Sequence, residues 1–291
     1  MISIIICSRT AEISLELFQN IQDTVGCEYE LIIIDNSKNI YSIFEAYNIG
    51  IQKSKGDYWC FMHDDIILHT QNWGEEIHRI FEADIKIGLI GVAGAKIKTK
   101  MPSAWWHCPQ QHRVVSIIQH SKGNDIIRWE MGFDRVLWKE VSIIDGVFMV
   151  GRKISQIAFD ERLEGFHNYD LNLSLAYRLE GYKVIVTKSV LLEHHSVGTR
   201  DRSWYISTLH FDDLYGNFFP HQIRETMSKA ELKMLEFQNG SVFCENLIRY
   251  NLKAVSLRYW ARLLVRKPFA KFHLRFIKLL IKHNTFFEVI K

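Results

Sequence analysis

No run of the chain stays apolar for the ~20 residues that a bilayer-spanning helix needs. The first apolar stretch, Ile2 to Cys7, is too short for a secretory signal and has no basic residue before it, so no leader is expected. Proline is scarce at four residues, which leaves no Pro-rich linker to separate modules. Cysteine is sparse and unpatterned. Its five residues (Cys7, Cys27, Cys60, Cys108 and Cys244) are odd in number, and no pair has CxxC spacing. That excludes a disulfide framework and a zinc knuckle and fits a reducing, cytoplasmic compartment. Glycine is missing where a phosphate loop would need it, since the turn after the first apolar run spans Cys7 to Glu12 without one. This removes the GxGxxG fingerprint of a dinucleotide-binding dehydrogenase and the Gly-rich loop of a nucleotide-sugar pyrophosphorylase. No Walker A sequence occurs, and the 13 histidines contain no HExxH-like spacing, so a zinc-hydrolase reading has no support.

What is present is a chain of 291 residues, 47% hydrophobic and 24% charged, long enough for one large α/β domain with an appendage. Its net charge of +3 is unevenly spread. From Ile248 onward 11 Lys/Arg face one acid, Glu288, a net of +10 that leaves the rest of the chain at −7. A mildly acidic body therefore carries a strongly basic end.

The first hundred residues alternate two hydrophobic patterns. Ile2 to Cys7, Tyr29 to Ile34 and Tyr58 to Met62 are continuous apolar runs, as in strands buried on both faces. Between them, Ala11 to Thr24 carries Ile13, Leu17 and Ile21 at helical spacing, and Ser42 with Glu45 forms a capping box opening a helix to about Ser54. A helix from Trp73 to Phe81 and a strand from Gly88 to Gly94 follow. This rhythm predicts a doubly wound, mostly parallel sheet flanked by helices, with ligands at the carboxyl ends of its strands. Further on, Val141 to Val150 reads as a strand interrupted at Asp145 and Gly146. Asn168 to Glu180 reads as a helix closed by Gly181, Lys183 to Thr187 as a strand, and the chain from about Thr199 as helical.

Polar residues cluster where such a sheet would bind. Ser8 and Arg9 end the first strand, Asp35 and Asn36 the second, and His63, Asp64 and Asp65 the third. Adjacent carboxylates at a buried strand end are costly unless paired, and a divalent cation on a diphosphate would pair them. His194 and His195 end a late strand, and alternation sends them to opposite faces, so at most one serves this site. Asp170 falls in the first turn of its helix, where the dipole favours an ionised carboxylate by ~0.3–1 kcal/mol.

In order and spacing these pieces resemble glycosyltransferase family 2, which has the GT-A fold. The resemblance runs from the opening strand and turn (Ile2 to Arg9) through Leu31 to Ser37, Glu45 to Gly50, and His63 to Asp65 in the place of the Asp-x-Asp signature. It continues through Phe159 to Gly165, Tyr169 to Leu175, and His194 to Thr199. Three positions depart from the family pattern: His63 replaces the first aspartate, Tyr169 the glutamate before Asp170, and Asn172 the second aspartate of that segment. The resemblance implies an inverting transfer from a nucleoside diphosphate sugar, a UDP-sugar first, to a glycan or lipid-linked acceptor. It makes Asp65 and His194 ligands of Mn2+ or Mg2+ and Asp170 the general base. It puts Ser8, Arg9, Asp35, Asn36, Asn48 and Asp64 around the nucleotide and its ribose. Trp105, Trp106 and the turn at Asp145 and Gly146 fall on the acceptor side. An inactive sugar-nucleotide-binding or scaffold protein on the same fold is the alternative.

The resemblance covers about residues 1–200, and the organisation expected is a catalytic domain over 1–215 with a nucleotide half (1–100) and an acceptor half (101–215). A basic helical extension over 216–291 follows, in which Pro268 splits the segment from Leu247 to Ile281 into two helices. Basic residues at spacings of three and four beside Trp260, Phe272 and Phe276 suit an anionic membrane, at the inner face of the cell membrane. The competing reading is a helical pair packed on the domain or forming a dimer. No nucleic-acid motif accompanies the charge.

Overall fold

The computed structural model describes residues 1–121, 125–196, 198, 200–224 and 226–288, with backbone alone for 284–288. Val197 and Thr199, part of the stretch matched after His194, lie outside the described residues.

The chain first lays down β1 (Ile2–Ser8), α1 (Leu15–Thr24), β2 (Tyr29–Asp35), α2 (Ile43–Lys53), β3 (Tyr58–Met62), β4 (Ile66–Leu68), α3 (Trp73–Ala83) and β5 (Ile87–Gly91). There follow β6 (Ala93–Ala95), β7 (Ile97–Lys98), β8 (Arg113–His120), β9 (Ile126–Met131), β10 (Trp138–Glu140), β11 (Ile143–Ile144) and β12 (Phe148–Arg152). The remainder is α4 (Tyr169–Leu179), β13 (Lys183–Thr187), β14 (Leu192–His194), α5 (Arg202–Tyr215), β15 (His221–Gln222), α6 (Lys229–Arg249), α7 (Lys253–Arg266) and α8 (Phe272–Glu288).

A seven-stranded sheet in the order β10-β13-β5-β12-β3-β1-β2 forms the body. β1 lies parallel to β2 and to β3, and β13 parallel to β5. β12 runs antiparallel between β3 and β5, so the two parallel groups meet across a reversed strand. β1 has the continuous apolar burial expected of its sequence, with Ile2, Ile4, Ile5 and Ile6 fully buried. α2 is fixed by its capping box, Ser42 accepting from Glu45 N while Glu45 accepts from Ser42 N. α1 begins later than the apolar spacing suggests. Ser14 caps it by accepting from Leu17 N, so Ile13 lies outside the helix while Leu17 and Ile21 are buried.

A second sheet, β11-β6-β8-β14-β4 with β9 beside β8, sits against the first. It arises because the apolar run expected as one strand from Gly88 to Gly94 breaks at Val92 into β5 and β6, one for each sheet. The interruption at Asp145 and Gly146 acts in the same way, dividing β11 of the second sheet from β12 of the first. The second sheet matters for the site. In it β14 pairs antiparallel with β4, bringing His194 opposite Ile66 and so beside Asp65.

The C-terminal helices close a second core of Met101, Trp204, Tyr205, Phe243, Leu247, Tyr259, Leu263, Phe272 and Phe276. Trp204 and Tyr205 belong to α5, so this core starts before residue 216. Pro268 does separate α7 from α8. A second break precedes it at Asn251, which takes a left-handed φ of 60° between α6 and α7. Among the described residues no helix is long and apolar enough to cross a membrane.

Candidate active site

Parallel pairing in register aligns the ends of β1 and β2, so Ser8 faces Asp35 at the sheet's carboxyl edge. The chain leaves β3 directly into His63, whose amide donates to Val147 O at 3.1 Å. His63 and Asp65, two positions apart, fall on the same side of this extended stretch. The β4–β14 pairing, extended by His195 N donating to Asp65 O at 3.0 Å, then brings in His194.

The result is a close triangle of donor atoms. His63 Nδ1 lies 3.3 Å from His194 Nε2. Asp65 Oδ1 lies 3.5 Å from His194 Nε2 and 3.7 Å from His63 Nδ1. Asp65 Oδ1 is buried and has no hydrogen-bond partner. Donors sharing one ion at bonds of ~2.0–2.2 Å sit roughly 3–3.6 Å apart, so these atoms fit a small divalent cation with little adjustment. The orphaned oxygen is the reason to expect one, because a buried carboxylate oxygen without a partner is costly.

Neighbours orient both imidazoles toward the triangle. His194 Nδ1 meets Gln119 Oε1 at 3.0 Å, which places its proton there and presents Nε2 to the triangle and to Ser196 Oγ at 3.2 Å. His63 Nε2 meets the Tyr169 hydroxyl at 2.7 Å, which presents Nδ1. Burial, then the neighbouring His194, lowers the His63 pKa, against the pull of Asp65, Asp145 and Asp64. Burial alone would raise Asp65, but His194 and the charge of His63 outweigh it and hold the carboxyl well below the usual range.

Arg9 bridges the two aspartates. Its guanidinium lies 2.6 Å from Asp64 Oδ1 and 3.3 Å from Asp65 Oδ2, and its own amide donates to Asp64 at 3.1 Å. Arg9 remains largely exposed, so a phosphate can compete for it. Ser8 is buried and accepts from Thr10 N at 3.2 Å, shaping the turn that presents Arg9. Asp35 is exposed, and its pKa is lowered by its hydrogen bonds with Ser37.

The two asparagines are placed differently from the expectation of direct nucleotide contact. Asn36 donates to Tyr41 O at 2.9 Å and accepts from Tyr41 N at 3.0 Å, stapling its own loop. Asn48 donates to Phe159 O and Glu161 Oε1, both at 2.8 Å, and accepts from Phe159 N at 2.9 Å. Its two N–H groups and its carbonyl are thus committed to tying α2 to residues 159–161. Both read as positioning residues, because their polar atoms already have partners.

Asp170 sits beside Tyr169 at the start of α4, next to the turn at Asp145 and Gly146. Leu171 N donates to it at 2.8 Å. Gly146 permits this approach: a Cβ there would come within 2.3 Å of the Tyr169 hydroxyl. The expected ionising influence of the helix start is outweighed. Burial first, and then the charge of Asp145, push Asp170 up to about 7 despite those backbone donors. The electrostatic expectation is therefore corrected. Asp170 is poised near neutrality instead of being held firmly ionised. Asp145 also accepts from Trp105 Nε1 at 2.7 Å, so one acceptor-side tryptophan joins this cluster, while Trp106 packs edge-on against Trp105.

In the sequence His63 stands as a missing aspartate, and neither Tyr169, which supports His63, nor Gln119, which supports His194, is marked by its local pattern. The signal for His63 was available, since two-residue alternation places it with Asp65. Gln119 carried none, because it reaches His194 only through the β8–β14 pairing.

Comparison with known proteins agrees with this architecture. The chain is similar to S. aureus TarS residues 1–349, with 10% identity, a TM-score of 0.52, and coverage of 96% of this chain and 80% of that one. It is also similar to GalNAc-T7 solved with UDP, GalNAc and Mn2+, with 12% identity, a TM-score of 0.50, and coverage of 87% of this chain and 57% of that one. At such identities the likeness establishes the fold, GT-A. A protein of Fuscovulum blasticum described as "ATP synthase subunits region ORF 6" is 24% identical over 201 residues, 67% of this chain and 74% of that protein. The family model described as "Glycosyltransferase like family" matches residues 2–215, which include every donor atom, positioning side chain and carboxylate of the site, and the chain belongs to that family.

Proposed function

We propose that the protein is a metal-dependent, inverting glycosyltransferase that moves a sugar from a nucleoside diphosphate donor, a UDP-sugar, to an acceptor hydroxyl in glycan assembly. The observation that carries this reading is the triangle of His63 Nδ1, His194 Nε2 and the orphaned Asp65 Oδ1 at the carboxyl edge of the sheet. His63, Asp65 and His194 would hold Mn2+ or Mg2+. When bound, the cation supplies Lewis-acid stabilisation of the negative charge that develops on the departing diphosphate.

The chain's own groups do the remainder. Arg9 turns from the aspartates to the diphosphate, as an exposed guanidinium can. Asp64, released from Arg9, and Asp35 are free to take the ribose and base. Asp170 removes the proton from the acceptor hydroxyl as that oxygen attacks the anomeric carbon, and the donor bond to phosphate breaks on the opposite face. A carboxyl near pH 7 suits this step, being part ionised yet basic enough to accept a proton.

The test is nucleotide-sugar turnover by chelator-treated protein with Mn2+ or Mg2+ added back. Wild type regains activity, and Asp65→Ala loses on the order of 10³-fold, because Lewis-acid stabilisation is worth several kcal/mol and ~1.36 kcal/mol is tenfold. Donor binding without hydrolysis or transfer, with or without metal, would favour the binding-protein alternative.

A second observation supports attachment to an anionic membrane. Phe269 is 99% exposed and Val265 85%, with Leu274 and Ile277 also exposed beside Lys267, Lys271 and Lys278. Trp260, Phe272 and Phe276, expected on such a face, pack in the second core instead, and it is these exposed apolar and basic side chains, close in sequence, that suit a lipid headgroup region.

A further inference from the structure

On the other side of β14 a second set of imidazoles closes on one carboxylate. Alternation sends His194 into the candidate active site and Glu193 and His195 the opposite way. Glu193 Oε1 lies 2.5 Å from His120 Nε2 and 3.6 Å from His195 Nε2. Glu193 Oε2 lies 2.9 Å from His69 Nε2. One donor atom from each of His120, Glu193 and His195 lies within 4.8 Å of the others. The four residues come from the end of β8 (His120), from β14 (Glu193) and the residue after it (His195), and from the residue following β4 (His69), whose amide donates to Leu191 O at 2.9 Å.

Hydrogen bonding accounts for two of the three imidazoles, since neutral His69 and His120 can each donate Nε2–H to one oxygen of Glu193. His195 Nε2, at 3.6 Å, is outside hydrogen-bond range of that carboxylate. With the ring protons on Nδ1, the Nε2 lone pairs of His120 and His195 would face a shared cation beside Glu193. Donors on an ion at ~2.0–2.2 Å sit roughly 3.3–3.6 Å apart in tetrahedral geometry. The contact from His195 to Glu193 already matches, and the shorter one from His120 needs to open by under about 1 Å.

We propose that His120, Glu193 and His195, with His69 holding the second oxygen of Glu193, form a transition-metal site separate from the one on His63, Asp65 and His194. Two imidazoles and one carboxylate are a donor set that Zn2+ takes readily, and here, unlike the first site, no donor diphosphate would add the oxygens that Mn2+ or Mg2+ favour. The site is open to solvent, with Glu193 19%, His120 27% and His195 44% exposed, so an ion enters without unfolding the strand. Its role is to pin β14 to β8 and β4 and thereby fix the register that presents His194 to the active site.

The experiment uses untagged, full-length protein stripped with chelator and titrated with Zn2+ against a chromogenic competitor, so that no purification metal or tag histidine intrudes. Asp65→Ala removes the first site and should still bind one equivalent of Zn2+, with two or more imidazole nitrogens in its X-ray absorption spectrum. Zn2+ should raise the Tm of Asp65→Ala and leave the Tm of a triple variant, Asp65→Ala with His120→Ala and His195→Ala, unchanged. Glu193→Gln, which keeps the side chain's shape, should weaken Zn2+ by tenfold or more on the Asp65→Ala background. Should the triple variant fail to fold, the Glu193→Gln comparison decides alone. Absence of tight Zn2+ from Asp65→Ala overturns the proposal, and so does Zn2+ binding that the His120, Glu193 and His195 substitutions do not change. Because the readout is metal binding and Tm, its failure leaves the glycosyltransferase reading untouched.

Discussion

The strand ends of the body and the helical block that follows both concentrate ionisable side chains, and they treat them in opposite ways. In the block four arginines are matched with acids. Arg258 pairs with Asp213 at 3.0 Å, Arg262 with Asp212 at 3.5 Å, Arg266 with Glu236 at 3.7 Å, and Arg275 with Glu245 at 2.5 Å. At the strand ends Asp65 Oδ1 is buried with no hydrogen-bond partner and burial lowers the His63 pKa, and beside them at the start of α4 Asp170 is pushed up to about 7 by burial and Asp145. The same chain can satisfy its charges, then, and in the cleft it does not. Groups left short of partners in a concave site are the ones a ligand completes. The paired groups of the block read as architecture.

The contrast predicts that substitutions at the strand ends change rate and those in the block change stability. The largest effect in turnover beyond the metal ligands belongs to Asp170. Asp170→Asn should keep donor binding and lower kcat by ~10²-fold or more, as loss of a general base does. The wild-type rate should rise with pH through about 7, because the carboxyl must be ionised to act and its pKa in the fold is raised above the usual 3.8. The sign for stability is the reverse. The folded state holds this proton more tightly than the unfolded chain, so its contribution to stability falls as pH rises from about 4 through 7. A flat rate profile across that window, or near-normal kcat in Asp170→Asn, would take the role away from Asp170.

A smaller effect tests the supports of the triangle. Tyr169→Phe removes only the oxygen that fixes His63 Nε2 at 2.7 Å. Loss of such an outer partner costs 10- to 100-fold in metal affinity in comparable sites, so Mn2+ activation should shift to higher concentration while kcat at saturating metal stays near wild type. If both are unchanged, the Tyr169 hydroxyl does not hold His63 for the ion.

The body was legible from the sequence because its strands are continuous apolar runs and its helices carry their own caps, as Ser42 and Glu45 show. The strand-end aspartates were legible for the same reason, since a charge at the end of a buried run stands out. What was hidden depended on distant chain. Asp170 is 25 residues from the Asp145 that raises its pKa, and the local dipole argument pointed the other way. The basic stripe from Arg249 to Lys278 looked unpaired because its acids, Asp212, Asp213, Glu236 and Glu245, lie on α5 and α6. Helical spacing predicted the stripe but could not show which neighbour faces it.

The block side of the comparison is tested at Glu236. This carboxylate is 5% exposed and accepts from Lys100 N at 2.6 Å and Met101 N at 2.8 Å. Glu236→Ala leaves those amides unpaired, at a cost of about 1–3 kcal/mol each, so Tm should fall by several degrees. Turnover measured well below that Tm should be unchanged. A lost kcat with a normal Tm would show that the block reaches into the catalysis.

The smallest change in the folded protein is expected at Phe269, and it addresses what the block does with the charges left over. Arg258, Arg262, Arg266 and Arg275 are engaged with acids, but Lys271 and Lys278 make no ion pair among the described residues, and both are exposed. Lys271 follows by two residues Phe269, which makes a poor core residue because it is 99% exposed, and Leu274 and Lys278, four apart, share a face of α8. Phe269→Asp removes apolar surface that packs against nothing, so stability should stay within ~0.5 kcal/mol of wild type. In lipid the same side chain would be worth about 1.5–3 kcal/mol, and each nearby lysine about 1 kcal/mol on an anionic surface. Flotation with anionic and neutral vesicles separates the two settings. Wild type should rise with anionic vesicles in a salt-sensitive way, and Phe269→Asp should bind them roughly 10- to 100-fold more weakly with Tm unaltered. Equal flotation of the two proteins would confine the lysines and Phe269 to the solvated face of a structural block. A concentration-dependent molecular mass that Phe269→Asp abolishes would instead assign the patch to a second copy of the chain.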